Sequence, residues 1–448
     1  MFFTKTHKDI SKLAAPIIFG ELAQMSLHLI DAAMIGAVSY KHLSATSLVI
    51  NFINIPFIFG IGMTIAVAQL VSLASGKYDK PLVSHYLFNG FIICLITGIL
   101  ISTGLYFSAP LLTHLGQDKE VVALAQPFLK LMSISILPMM LFMTLKQFAD
   151  GLQFTKVPMI LSIAALPLNV FINWLLIYGN WGFPRLELVG AGYGTLISRT
   201  FICFALMLVI LYHPIFKKYM AIWRNQWNLK THSLRQVLKI GIPSSFQIGM
   251  EAGAFAVSGI IIGTISAQAQ AAHQIALSCA SFTYMVIMGL SQAGSIKVSY
   301  AYATYNWPKI KEYGASTLHI GLIYSLISCT CFIVFRNFLP FLFNDDATVI
   351  SMAATLLLFA GIFQISDAVQ AVSSGLLRGI KDVNIPTGLI AVAYWIIGIP
   401  LGLLLSFQFN LGAIGIWLGL IAGLTTSAIL LSIRFFNRKE MKTLKLPR

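Results

Sequence analysis

Apolar residues run through this chain in long blocks, and polar residues gather in short breaks between them. Stretches such as IPFIFGIGMTIAVAQLVSLA and FIICLITGILISTGLYF carry no charge. Each is a helix length that crosses the roughly 30 Å apolar layer of a bilayer. The pattern predicts twelve helical spans centred at about residues 25, 58, 97, 136, 167, 201, 249, 282, 324, 362, 394 and 422. The breaks carry turn and loop chemistry: SGKYDKP, THLGQDKE, YGNWGFPRLE, NWPKIKEY, FLFNDD and RGIKDVN. The fold class is therefore an all-α membrane protein.

Composition removes the alternatives. Of 448 residues, 57% are apolar and 10% charged, where a soluble domain would carry about 25% charged. There is no room for a sizeable soluble domain. MFFTKTHKDISKL is short and basic, and the apolar run after it is too long for a signal-peptide core. The five cysteines (Cys94, Cys203, Cys279, Cys329 and Cys331) all fall in apolar segments, with neither zinc spacing nor a disulfide framework.

The net charge of +15 does not signal nucleic acid, because its distribution follows topology. With the N-terminus inside and loops alternating, most Lys and Arg fall on the N-terminal side. They include Lys5, Lys8, Lys12, Lys77, Lys80, Lys217, Lys218, Lys309, Lys311 and the tail from Arg434 to Arg448. Lys41, Lys119, Arg185 and Arg336 fall opposite. The positive-inside rule places both termini in the cytoplasm of a multi-pass inner-membrane protein, facing anionic lipid. The longest break, residues 213–238, contains KKYMAIWRNQWNLK. It is either an amphipathic helix on the membrane surface or a tether between two halves.

An internal repeat sets the organisation. At one constant offset, Lys12, Pro16, Phe19, Gly36, Ala45, Gly62, Val71, Ser72, Ala74, Tyr78 and Pro81 fall on Lys239, Pro243, Phe246, Gly263, Ala272, Gly289, Val298, Ser299, Ala301, Tyr305 and Pro308. Each half then holds six spans, giving a lobe over 1–220 and a lobe over 221–448, with 213–238 as cytoplasmic linker. Six is even, so both halves enter the membrane from the same side. Parallel repeats of this kind build transporters, whose substrate cavity lies between the halves. GxxxG spacings at Gly398/Gly402 and Gly415/Gly419/Gly423 fit close helix packing. GAGYGT at Gly190 has no strand before it, so it too is packing and not a nucleotide loop.

Isolated acids in apolar helices are costly and mark functional sites. Three stand out: Asp31, Glu251 and Asp367. Helical spacing puts Glu21, Gln24, His28 and Asp31 on one stripe of the first span. Gln247, Glu251 and Ser258 share a face of the seventh span, and Phe363, Asp367, Gln370 and Ser374 share one of the tenth. Asn169 and Asn173 lie one turn apart in the fifth. The acids are not inherited from the repeat: Glu251 aligns with Gln24, Asp31 with Ser258 and, after a one-residue adjustment, Asp367 with Met139. Few cations are available at depth to pair them; Lys130 and Arg199 are candidates, both placeable near span ends. Glu21 sits closer to the cytoplasmic end, where it can snorkel or pair. His28 can share a proton with Asp31 or bond within the bundle. A carboxyl held at low dielectric exchanges a proton or Na⁺ for a cationic solute, and Glu251 with Asp367 could supply two oxygens to a cation. Neither HExxH, GxSxG nor a Walker A sequence occurs, so the chain reads as a non-enzyme driven by an ion gradient.

PIIFGELAQMSLHLIDAAMIG, GIPSSFQIGMEAGAFA and FQISDAVQAVSSGLLRGIKD resemble the multidrug and toxic compound extrusion (MATE) family, in its NorM-like bacterial branch. The resemblance covers nearly the whole chain. It implies a twelve-helix, V-shaped, two-lobed antiporter exporting cationic lipophilic drugs against Na⁺ or H⁺, without cofactor and as a monomer. It implies that Glu251 and Asp367 form the cation site of the C-terminal lobe. It also implies that Asp31, with Asn169, Asn173 and Thr195, forms a site in the N-terminal lobe. Gln24, His28, Gln247, Phe363, Gln370, Tyr394 and Trp395 are the expected cavity residues. Relatives can have Tyr where this chain has Phe363, and some branches carry an acid near Asn173 that is missing here. A flippase for lipid-linked sugars is the alternative, but its pyrophosphate cargo would need basic residues in the cavity.

Overall fold

The computed structural model describes residues 4–114, 118–225 and 229–442. Residues 115–117 of one loop, 226–228 of the linker and 443–448 of the basic tail lie outside the described residues. Among the described residues every regular element is helical. Twelve helices are long and apolar enough to cross a membrane. We number them with the linker helix in chain order: α1 (Lys5–Gly36), α2 (Tyr40–Gly76), α3 (Lys80–Phe107), α4 (Lys119–Gly151), α5 (Lys156–Tyr178), α6 (Glu187–Tyr212), α7 (Pro214–Asn225), α8 (Thr231–Ile265), α9 (Ala267–Tyr302), α10 (Trp307–Phe335), α11 (Ala347–Gly379), α12 (Asn384–Gln408) and α13 (Ala413–Phe436). Only α7 is too short to span. One face of it buries Phe216, Tyr219 and Met220, with Phe216 and Tyr219 against Phe148 of α4 and the Ser84 hydroxyl of α3 donating to Tyr219 O at 3.1 Å.

The chain forms two compact units. One holds Phe19–Ser245; the other holds Met1–Ile18 with Phe246–Arg448. The division therefore falls inside α1 and α8, not at 220/221. Phe19 and Phe246, the first residues past each break, are repeat equivalents.

The repeat is written into the backbone. Tyr78 (φ +57°) and Tyr305 (φ +53°) both take the left-handed conformation that non-glycine residues avoid. The next residue caps the following helix in each case: Asp79 accepts from Leu82 N at 2.9 Å, and Asn306 from Lys309 N at 3.1 Å. Gln153 (φ +65°) and Lys381 (φ +61°) take the same left-handed conformation after α4 and α11. Ser39 and Ser266 open α2 and α9 as extended N-caps, and Asp118 and Asp346 cap α4 and α11.

Glycine lets the helices approach closely at equivalent places. A Cβ on Gly151 would meet Ala68 O at 2.7 Å, and one on Gly379 would meet Ser295 O at 2.7 Å. In the 246–448 unit, a Cβ on Gly419 would meet Gly402 Cα at 2.4 Å, which is the GxxxG contact the sequence predicts. The nucleotide-like GAGYGT run is also packing: a Cβ on Gly190 would meet Leu176 O at 2.5 Å. Helix α12 is irregular, with wide π-helical turns over Val392–Gly398 and Leu404–Gln408.

The 19–245 unit encloses an ion cluster that the sequence pattern did not single out. Lys146 of α4 is 2% exposed and donates to Glu21 of α1 at 2.5 Å, with Asp150 one turn along at 3.8 Å. Glu21 is thus paired inside the unit and does not snorkel.

Two expectations follow. Gly419→Val should lower the thermal unfolding midpoint in detergent, a cost of about 1–3 kcal/mol for overpacking. Gly388→Ala, where a Cβ meets nothing within 4 Å, should leave it unchanged or raise it slightly. Lys146→Met should destabilise by about 3–5 kcal/mol, because buried Asp150 and half-buried Glu21 lose their counter-charge. Adding Glu21→Gln and Asp150→Asn should recover most of that loss, read as the unfolding midpoint of each variant.

Candidate functional sites

Burying a charge in an apolar interior is unfavourable unless another group answers it. Twelve of the fifteen acids sort on that basis. Asp79, Asp118 and Asp346 are helix caps. Glu120, Glu187, Glu312 and Asp382 pair with basic side chains near helix ends. Glu21 and Asp150 share Lys146. Asp31, Glu251 and Asp367 are the mid-span acids with no Lys or Arg within 4 Å among the described residues.

In the 246–448 unit, Glu251 comes from α8 and Asp367 from α11, where it is 5% exposed. Two polar rungs one turn apart join these helices. Gln247 donates through Nε2 to Ser374 Oγ, and Gln370 donates through Nε2 to Glu251 Oε1. The two carboxylates lie within electrostatic range of each other and of the Tyr284 and Tyr394 hydroxyls. Arg378, 6% exposed at the end of α11, acts on Glu251 from a distance and has no acid within bonding reach among the described residues.

An aromatic layer closes the site beyond Asp367. Phe363, one turn before the acid, meets Phe255 at 5.7 Å and Trp417 at 5.9 Å between ring centroids. Phe255 also meets Tyr394 at 6.1 Å, and Trp417 meets His273 at 5.7 Å. Phe363 and Tyr394 are therefore buried wall, whereas Trp395 is 39% exposed and donates through Nε1 to Met250 O at 3.2 Å. The wide turn of α12 carries both Tyr394 and Trp395.

In the 19–245 unit, Asp31 accepts from Asn173 Nδ2 at 2.6 Å and from Thr195 Oγ1 at 3.3 Å. Asn173 Nδ2 also reaches Asn169 Oδ1 at 3.1 Å. Asn173 Oδ1 is buried without a partner among the described residues. Gly194 makes room for this network, since a Cβ there would meet Asn173 Oδ1 at 2.0 Å. Gln24 and His28 line a nearby cavity with Arg199, and His28 makes no hydrogen bond to Asp31.

Arg199 corrects the expectation that cations stay near span ends. It sits mid-helix in α6, 8% exposed, and donates to Ser135 Oγ at 2.8 Å. Lys130 behaves as expected, over the Tyr106 ring at 5.6 Å. Lys146, Arg378, Tyr284 and Trp417 were missed because a count of charges per span does not reveal which ones turn inward. The cysteines are all free. Among the described residues no group of three or more His, Cys, Asp or Glu is placed to hold a metal ion.

Comparison with known proteins identifies the family. A family model described as MatE matches residues 16–175 and 243–404, one match in each half. The chain is 33% identical to a probable multidrug resistance protein NorM of Rhizobium meliloti, over 95% of this chain and 92% of the relative. It is 29% identical to the multidrug resistance protein NorM of Photobacterium profundum, over 96% and 95%. Its fold superposes on a crystal structure of a eukaryotic MATE transporter with a TM-score of 0.89 at 21% identity, covering 99% of this chain and 98% of the other. It also superposes on an outward-facing multidrug resistance MATE family transporter, with a TM-score of 0.88 at 17% identity and 98% coverage of each. Twelve apolar spans, a match in each half and full-length relatives lead to one conclusion: the chain belongs to the MatE family.

Proposed function

We propose that this MatE protein is a multidrug efflux antiporter that exports cationic, lipophilic compounds in exchange for Na⁺ or H⁺ by alternating access, and is not an enzyme. The observation that carries this reading is the pair of Glu251, half-buried on α8, and Asp367, buried on α11, within electrostatic range of each other and with no basic side chain bonded to either among the described residues. Two carboxylates held close at low dielectric do not both keep a negative charge unless a proton or cation joins them. An organic cation competes for the same negative charge, and that competition is the exchange. Hard carboxylate oxygens suit Na⁺ as well as H⁺; either ion is substrate here, not a resident cofactor.

Asp31 supplies a second coupling acid. Asn173 and Thr195 orient its carboxylate, and the free Asn173 Oδ1 gives a cation a further oxygen. Gln247 and Gln370 position α8 against α11 at the first site, and Trp395 offers the cargo an exposed aromatic face. The bias of basic residues supports a bacterial inner-membrane location with both termini cytoplasmic. The names of the curated relatives, multidrug resistance proteins, favour drug cargo over lipid-linked sugars.

The deciding experiment is ethidium efflux from proteoliposomes with Na⁺ and pH gradients imposed one at a time; efflux under neither gradient ends the reading. Glu251→Gln and Asp367→Asn should each cut coupled efflux by about tenfold or more, with normal membrane insertion. Wild-type rates in both would remove the 246–448 unit from coupling. Asp31→Asn should slow efflux measurably, and an unchanged rate would make Asp31 structural.

A further inference from the structure

The cavity lined by Gln24, His28, Ser162, Thr195, Ser198 and Arg199 lies wholly within the 19–245 unit and holds about 30 Å³. That is room for a small ion or a carboxylate head, not for a drug. Arg199 brings a full positive charge to it. A guanidinium has five N–H donors, yet Arg199 makes a single hydrogen bond, from Nη1 to Ser135 Oγ. No acid pairs with it within 4 Å among the described residues. The charged or titratable groups that face it are Asp31 and His28, both on α1. Asp31 does not line the cavity; its carboxylate is held by Asn173 and Thr195.

The hydroxyls give an independent sign. Serine in an apolar helix returns its hydroxyl to its own helix. Ser133, Ser135 and Thr144 do so, at 2.6 Å to Leu129 O, 2.7 Å to Met132 O and 2.8 Å to Met140 O. Ser162 and Ser198 do not. They are 2% and 1% exposed, line the cavity and bond nothing among the described residues. Two buried free donors beside an under-used guanidinium form a cradle for negative charge.

We propose that this cavity binds a small monovalent anionic group, through Arg199 with Ser162 and Ser198. The group is either a free halide or the carboxylate of a zwitterionic cargo; the second source rests on the efflux reading above, the first does not. A guanidinium fork matches a carboxylate in particular.

The test uses the purified full-length protein in nanodiscs, so it reads binding without transport. Bromide replaces gluconate at constant ionic strength, with thermal stability as readout and anomalous scattering locating the ion in crystals. A zwitterionic quinolone with a free carboxylate is compared with its methyl ester in a binding assay. A free anion gives a bromide peak in the cavity and a stabilisation that Arg199→Gln and Ser162→Ala/Ser198→Ala both lose. A cargo carboxylate gives no bromide effect, but the acid binds about tenfold or more tightly than the ester. That preference disappears in both variants while ethidium binding is kept. The serine pair guards against misfolding of Arg199→Gln, which also removes the bond to Ser135. No bromide effect together with equal binding of acid and ester would mean that the cavity holds water only, and would overturn the proposal.

Discussion

The structure is organised by the difficulty of holding charge away from water. Taking a carboxylate or ammonium out of water costs several kcal/mol even after relaxation, so a chain that is 10% charged must answer each charge that it buries. Most are answered locally. Loop acids cap helices, acids near helix ends meet Lys or Arg, and Glu21 and Asp150 share one buried lysine. What is left after this sorting is small and specific: three acids and two arginines with no oppositely charged partner within 4 Å among the described residues.

The two compact units show how such groups arise on a repeated scaffold. The scaffold is kept where the backbone needs it. Tyr78 and Tyr305 share a strained turn, Ser39 and Ser266 share a cap, and Gly151 and Gly379 share a close approach to a carbonyl. The ionisable groups are not kept. Glu251 on α8 and Asp367 on α11 lie within electrostatic range of each other in one unit, while Asp31 sits among amides and a hydroxyl in the other. Packing constraints act on every copy of the fold, whereas a charge is retained only where there is work for it to do. Each unit thus has its own electrostatic chemistry on the same frame.

Sequence alone determined the helical class, the twelve spans, the repeat and the three unanswered acids. Each of these rests on a one-dimensional property: a run of apolar residues, a constant offset, a charge isolated in its own span. Helical spacing also put Asn169 with Asn173 and Gln247 with Glu251 on common faces. Which faces meet was decided by tertiary structure. Spacing cannot tell that Lys146 turns inward to Glu21, that Arg199 is buried against Ser135 of α4, or that α7 packs a face on α3 and α4. Nor can it tell that Phe363 and Tyr394 are walled in while Trp395 is left open. Those outcomes depend on contacts between residues far apart in the chain, and on wide turns in α12 that change the register of every side chain after them.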